Sequence, residues 1–357
     1  MAYRVAAHGL DRKAGDLEDL AVFDLGVQDT PSGSARPALA ARSATPPAGD
    51  LEGLSLVWTF RGAPHLHRTA DLPGLATALW PLSDADATAR FTSTRIKEGA
   101  RLGLAAFTAA AEAMREVVGE PRPRGEVSTE VTARIPASLT YDCVPCKARH
   151  VSGALFQQVG LPAGVLVQPG TSPAVLAPIA GRPEVPREAA GTAALVEAYL
   201  RLHGPATLAE VASYIGTTQR ELAPAWPDGL AEVRVDGRRA WLPADRVDVL
   251  RSAAAPSLVR LLPPSDPFLQ ARDRSLLVPD KARHSELWKA ISKPGALLVD
   301  GEIDGLWRAR KAGRTRLEIT VTPFRSSAAR VRAAIEEEAG RVAAARGVTD
   351  VRVLFDG

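Results

Sequence analysis

Apolar positions along this chain change their spacing several times, and each change marks an element. An apolar run at 20–25 leads into Gly26-Val27-Gln28-Asp29-Thr30-Pro31. Pro31 suits the first position of a helix, with Thr30 or Asp29 as its cap. A helix is therefore expected from there through Ser34 to about residue 43, with Pro37 delaying its regular start. Gln28 and Thr30 would sit in extended chain just ahead of it, two residues apart and on one side. A Thr-Pro-Pro-Ala-Gly-Asp loop at 45–50 separates this segment from a predicted strand at 54–60. Helices follow at 71–80 and, as one long amphipathic stretch, at 97–118.

From residue 121 a local plan repeats: helix, turn, helix, β-hairpin. The clearer copy has a helix at 193–202 and a short helix at 207–215, with Thr207 and Glu210 at capping-box spacing. Gly216 makes the turn into a recognition-type helix at 218–226. Strands at 230–235 and 238–242 are joined by Asp236-Gly237, which favours a type I′ turn. This is the pattern of a winged helix-turn-helix. A fainter copy places helices at 127–135 and 147–159 and a wing at 165–176. The last third changes to strands at 258–262, 296–299, 301–310 and 314–323, then a terminal helix at 326–346. The expected class is α+β, with an N-terminal winged-helix domain at 1–120, winged-helix domains at 121–185 and 186–250, and a β-rich domain at 251–357.

Composition narrows the picture. With 357 residues, 46% hydrophobic and 24% charged, the chain reads as a globular protein of two or three domains by length alone. No window approaches the ~18 apolar residues of a membrane span. The first residues lack a long apolar stretch, so a cytoplasmic location, associated with the nucleoid, is expected. Two cysteines cannot make a disulfide framework. The net charge of +3 selects no partner, but the cations are unusual: seven lysines against 37 arginines. Compositional bias accounts for that imbalance and leaves open how the arginines are used.

Three constellations could carry chemistry. Cys143-Val144-Pro145-Cys146, followed by His150, has no second ligand pair at zinc-finger spacing. The cysteines are expected to be small packing residues at the start of a helix, with no metal. His65 and His67, after an Arg61-Gly62 turn, point to one face and suit either DNA contact or a structural role. Residues 306–316 hold Arg308, Arg310, Lys311, Arg314 and Arg316 without an acid around an Ala312-Gly313 turn. Such a hairpin can track phosphates. The plainer alternative is a solvated edge protected by charge. No nucleophile elbow, Walker loop or dinucleotide fingerprint is present, and no cofactor is expected.

In order, several segments resemble the AlkZ/YcaQ-like winged-helix DNA glycosylases. Leu25-Gly26-Val27-Gln28-Asp29-Thr30 with Ala38-Leu39-Ala40-Ala41-Arg42 is similar to the family's opening motif. Phe60-Arg61-Gly62-Ala63-Pro64-His65, Leu261-Leu262-Pro263-Pro264-Ser265-Asp266 and Val299-Asp300-Gly301 with Gly305-Leu306-Trp307 match later ones. The resemblance implies tandem winged helices in a C-shaped arrangement, closed by a C-terminal β-rich domain. It also implies removal of N7-alkylated purines from double-stranded DNA, by a monomer that uses water alone. Family members position that water with Gln-x-Gln or Gln-x-Asp; Gln28 matches the first residue and Thr30 stands at the second, with Asp29 one place out of register. Arg61, His65, His67 and the basic hairpin would then contact DNA. Two other readings remain beside the enzyme: a winged-helix DNA-binding or regulatory protein with weakened chemistry, and a sequestering protein for a free genotoxin.

Overall fold

The computed structural model describes residues 1–313 and 315–356. They form an α+β fold of many helices with a C-terminal curled β-sheet. Two compact units divide the chain: Met1–Glu52, Tyr199–Ala206 and Gly229–Gly357 in the first, Gly53–Ala198 and Thr207–Asp228 in the second. No helix among the described residues is long and apolar enough to cross a membrane.

The first unit is built on a five-stranded sheet. Its strands Val259–Leu262, Gly295–Val299, Glu302–Ala312, Arg316–Pro323 and Asp350–Phe355 lie side by side in that order. All neighbours are antiparallel except the last pair, which is parallel. A parallel pair needs a crossover, and helix Ala329–Ala345 supplies it. Val331, Ile335, Ala339 and Val342 recur at helical spacing and pack on Val259, Leu261, Leu297, Trp307, Leu317 and Ile319. The opposite face is covered too: Leu262, Ala296 and Leu298 meet Val5, Leu10, Phe268, Leu269 and Leu277. Burial on both faces explains why Val259–Leu262 and Gly295–Val299 are largely apolar throughout, whereas Arg316–Pro323 alternates. Truncating a fully buried Ile335 would cost about 2–5 kcal/mol.

Two glycines are required by this packing. A Cβ on Gly295 would sit 2.3 Å from Trp307 Nε1 and 2.4 Å from the Leu262 carbonyl, the pair joined by a 2.7 Å hydrogen bond. Gly301, at φ +90°, completes the tight turn with Asp300 at +49°. The terminal strand Asp350–Phe355 carries no alternation strong enough to have been expected. Elsewhere in the unit, strands Leu230–Val235 and Arg238–Pro243 pair around Asp236 and Gly237, both at positive φ as a type I′ turn demands.

Charge is buried here as well. Arg42 and Asp266 are fully buried and bonded twice, at 2.7 and 2.8 Å. Arg4 meets Asp273 at 2.9 and 2.5 Å. Glu338, on the buried face of the terminal helix, takes both Arg12 and Arg260; its carboxyl is nevertheless pushed above the usual range by burial.

The second unit holds an antiparallel pair, Leu54–Trp58 with Pro64–Arg68, and a set of helices. Aromatic rings knit them: Phe107 meets Trp80 at 5.9 Å and Phe91 at 5.5 Å, and Trp58 meets Phe156 at 5.7 Å. The expected long helix at 97–118 is broken into Lys97–Ala100 and Leu104–Val117. Gly103 at φ +55° turns the chain, and the Asp84 carboxylate accepts the Leu104 N–H at 2.8 Å, capping the second piece. Helix Leu208–Ile215 opens with both halves of the Thr207–Glu210 capping box formed, at 3.3 and 2.8 Å, and closes on Gly216 in the left-handed region. The helix expected at 147–159 shortens to Gly153–Gln158, and Ala148–Val151 is instead a strand paired with Thr140–Cys143. The two cysteines therefore belong to a hairpin, not to a helix start.

Candidate functional site

In the first unit, Gln28 is held from both ends. Val27 and Gln28 are extended, as their place before a helix suggests, but the helix begins at Ala35 and ends at Ala40. Pro31 does not start it. Residues 31–34 form a turn closed by Ser34 N–H on the Pro31 carbonyl at 3.0 Å. Asp29 sets this geometry: its carboxylate accepts the N–H of Gly33 at 3.0 Å and of Ala35 at 2.9 Å. Both carboxylate oxygens are thus committed to the backbone. Pro37 falls in the first helical turn, where its missing N–H has no partner to lose.

Gln28 Oε1 accepts a 2.5 Å hydrogen bond from Gln270 Nε2, which also donates to the Ser265 carbonyl at 3.1 Å. Gln270 rides on the turn Pro267–Gln270, capped by Asp266 through the Phe268 N–H at 2.9 Å. Asp266 is the partner of Arg42, two residues beyond the helix that Asp29 caps. Backbone, ion pair and side-chain amide thus fix the half-buried Gln28, whose Nε2 has no hydrogen-bond partner among the described residues. Thr30 is exposed, and its hydroxyl has no partner among the described residues.

Beside this loop lies an open cleft of about 540 Å³. Pro31, Ser32, Gly33, Ser34 and Arg36 form one wall, Pro47, Ala48 and Gly49 another, and Lys311 with Ala344, Ala345, Arg346 and Gly347 the rest. Three lining residues are basic and none is acidic. Burial lowers the Arg346 guanidinium below its ordinary range, and its buried Nε has no hydrogen-bond partner among the described residues. Such a cation gains from any anion that enters.

The basic hairpin splits by strand alternation. Arg308, Arg310 and Arg316 share one face; Lys311, opposite Leu317, lies on the other and reaches the cleft. Arg310 is paired with Glu318 and Arg316 with Asp350 at 2.5 Å, while Arg308 donates to the Ser292 carbonyl at 2.8 Å. Lys311 is exposed without such a tie among the described residues. Arg314 lies outside the described residues.

In the second unit, Arg61 occupies a left-handed turn at φ +55°. Its guanidinium donates to the Tyr214 carbonyl and lies 5.6 Å over that ring, a clamp within the unit. His65 and His67 alternate to the same side, as expected, but that side is buried: the residues are 2% and 1% exposed. Thr59 Oγ1 lies 2.8 Å from His65 Nδ1 and 3.4 Å from His67 Nε2, and His65 Nδ1 also meets the Ala63 carbonyl at 2.9 Å. Burial brings the His65 imidazole down to about 4, so it is neutral at physiological pH. The expected DNA contact from these rings is corrected on this ground. Phe60, itself buried, packs its ring 5.7 Å from His65 and 4.8 Å from Tyr214.

A family model described as "DNA glycosylase AlkZ-like" matches residues 24–345. The chain belongs to the AlkZ-like DNA glycosylase family. A curated relative of Streptomyces sahachiroi, the "Interstrand DNA cross-link repair glycosylase", is 30% identical over 183 residues. That match spans about half of either chain, 48% of this one and 47% of the relative. The solved structure of Streptomyces sahachiroi DNA glycosylase AlkZ superposes with a TM-score of 0.75 at 20% identity, covering 99% of this chain and 98% of that one. At that identity the likeness establishes the fold.

In this AlkZ-like chain, most motif residues beyond Gln28 are scaffold. Arg42, Asp266, Gly301 and Trp307 hold the first unit together. Sequence reasoning missed Gln270, Arg36 and Arg346. No local pattern marks Gln270, since its partner lies 242 residues away. Arg36 and Arg346 are single arginines within helix-rich segments of an arginine-rich chain.

Proposed function

We propose that this protein is a monofunctional DNA glycosylase that releases N7-alkylated purines by water attack at C1′. The single observation that supports it best is the Gln28–Gln270 amide pair, fixed at the start of the loop whose residues 31–34 form one wall of a cleft lined also by Arg36, Lys311 and Arg346. An N7-alkylpurine is cationic and departs as a neutral base, so no general acid is needed. The sugar then passes through an oxocarbenium-like state, which fixed negative charge stabilises. Gln28 would hold the incoming water through its Nε2, with the Thr30 hydroxyl as a second hydrogen-bonding group. Asp29 supplies charge and loop shape rather than proton abstraction, because both its oxygens already accept backbone N–H groups. Water attack here therefore runs without the carboxylate or second amide of a Gln-x-Asp or Gln-x-Gln site: the C1′–N9 bond breaks with its electron pair on the neutral base, the C1′–O bond forms, and the water's proton passes to solvent. The basic cleft would take the phosphates of double-stranded DNA, presented by tandem winged helices. The relative's name makes cross-linking adducts a substrate worth testing.

The experiment is base release from duplex DNA carrying N7-methylguanine and, separately, nitrogen-mustard adducts. Gln28→Ala should lower release by ~10²–10⁴, the range of a positioned catalytic group, with unfolding midpoints close to the parent's. Release unaffected by Gln28→Ala would overturn the assignment. Salt-sensitive duplex binding with no release from either substrate would favour the DNA-binding reading, to which the engaged Asp29 and the uncharged Thr30 already lend weight.

A further inference from the structure

The hairpin Thr140–Cys143 and Ala148–Val151 gathers three soft ligands that the proposed chemistry does not use. Cys143 ends the first strand opposite Ala148, and Tyr141 faces His150, so Cys143 and His150 lie diagonally on one face. Lys147, at φ +50°, folds the connecting turn and brings Cys146 back towards them. One ligand atom from each of Cys143, Cys146 and His150 lies within 4.8 Å of the others.

Packing does not explain this cluster. Cys146 is exposed, and Val144 between the cysteines is 87% exposed, so the thiols do not fill a core. His150 is half-buried, and its buried Nε2 has no hydrogen-bond partner among the described residues. A buried ring nitrogen left this way is costly unless something binds it.

We propose that Cys143, Cys146 and His150 form a binding site for a thiophilic divalent cation, Zn²⁺ in particular, with water in the fourth position. Two thiolates and an imidazole select zinc over the oxygen-seeking Mg²⁺ and Ca²⁺. Tetrahedral bonds of ~2.3 Å to sulfur and ~2.0 Å to nitrogen set the ligand atoms roughly 3.5–3.8 Å apart. The present spread of up to 4.8 Å therefore closes by at most roughly 1.0–1.3 Å, within reach of side-chain rotation. Binding releases the two thiol protons to solvent, and the thiolates balance the metal's charge. Among the described residues no fourth His, Cys, Asp or Glu joins the group, which leaves the outward position to solvent. The metal would pin the hairpin tip, a structural role independent of base release.

The test uses the full chain, reduced and stripped of metal by a chelator, then titrated with Co²⁺ and back-titrated with Zn²⁺. The expected result is one Co²⁺ per chain, with a thiolate charge-transfer band in the near ultraviolet, tetrahedral bands in the visible, and their loss on adding Zn²⁺. Cys143→Ser with Cys146→Ser should remove the bands, and His150→Ala should weaken binding about 10-fold or more. Circular dichroism of the variants checks that the fold persists. Absence of the bands while both thiols titrate as free would overturn the proposal, as would bands that survive the double serine variant.

Discussion

Arginine does opposite work in two regions of the first unit. In its core, Arg42 is wholly buried and answered by one carboxylate in a two-pronged contact; Arg4 and Arg12 follow the same plan. On the hairpin at 302–323, Arg308, Arg310 and Arg316 lie in solvent, and their partners are a half-buried carboxylate at most or a lone carbonyl. The planar fork serves both, but the energetics differ. A desolvated guanidinium depends on its carboxylate, whereas an exposed pair contributes ~0–1 kcal/mol and can exchange its carboxylate for a phosphate. The excess of arginine over lysine is thus partly structural, and charge count alone overstates the surface available to DNA.

Breaking the core side of this contrast should give the largest effect. Asp266→Asn leaves the Arg42 charge buried without its counter-ion and weakens the cap on the turn that carries Gln270. A loss of about 3–5 kcal/mol is expected, measured by urea denaturation. The double replacement Arg42→Met with Asp266→Leu should recover much of it, because it removes both charges together. If Asp266→Asn costs no more than an exposed pair, the distinction between the two classes of arginine fails.

Much of this was legible in the sequence, and the exceptions have physical causes. The Asp236-Gly237 hairpin, the Thr207 capping box and the first four strands of the sheet follow from local turn chemistry, apolar runs and alternation, whereas the terminal strand Asp350–Phe355 does not. So does the position of Gln28 in extended chain. The start of the next helix was not legible, because its cap comes from Asp29, six residues back, across a turn. The Lys97–Ala100 and Leu104–Val117 break was missed since apolar periodicity continues through it; Gly103 at positive φ turns the chain, and the Asp84 carboxylate, distant in sequence, caps only the second piece. Alternation correctly put His65 and His67 on one side, but period alone does not say whether that side meets water. Gln270 depends on tertiary pairing; Cys143, Cys146 and His150 stand out by spacing alone, but the sequence there suggests the start of a helix where the chain forms the local hairpin that gathers them.

Buried histidines extend the contrast to pH. His65 is neutral in the fold with its pKa brought to about 4 by burial, and His8 and His203 are held well below the ordinary value by burial and neighbouring cations. Unfolding restores values near 6.5. The unfolded chain then binds more protons between these limits, so stability is complete above pH ~6.5 and is lost as pH falls towards 4. His65 alone accounts for at most about 3 kcal/mol of that loss. Urea midpoints measured from pH 7.5 down to 5 should fall, and less steeply in His65→Gln. A flat profile would mean that these rings are hydrated in solution.

The smallest effect should come from the hairpin, and it concerns affinity rather than stability. Lys311 lines the cleft without a competing partner among the described residues, Arg308 is tied to a carbonyl, and Arg310 must give up Glu318 before it can take a phosphate. Duplex affinity at low salt should therefore fall most for Lys311→Gln, by about 10-fold as for one charge-assisted hydrogen bond. Arg308→Gln should have a smaller effect and Arg310→Gln the smallest. Each lost phosphate contact should also reduce the slope of log affinity against log salt by ~0.9. Unfolding midpoints should move within about 0.5 kcal/mol, as for surface changes. Equal losses at the three positions would show that the exposed pairs open freely when DNA arrives. In that case the hairpin would act as one undivided positive surface, and the ordering by existing partner would not hold.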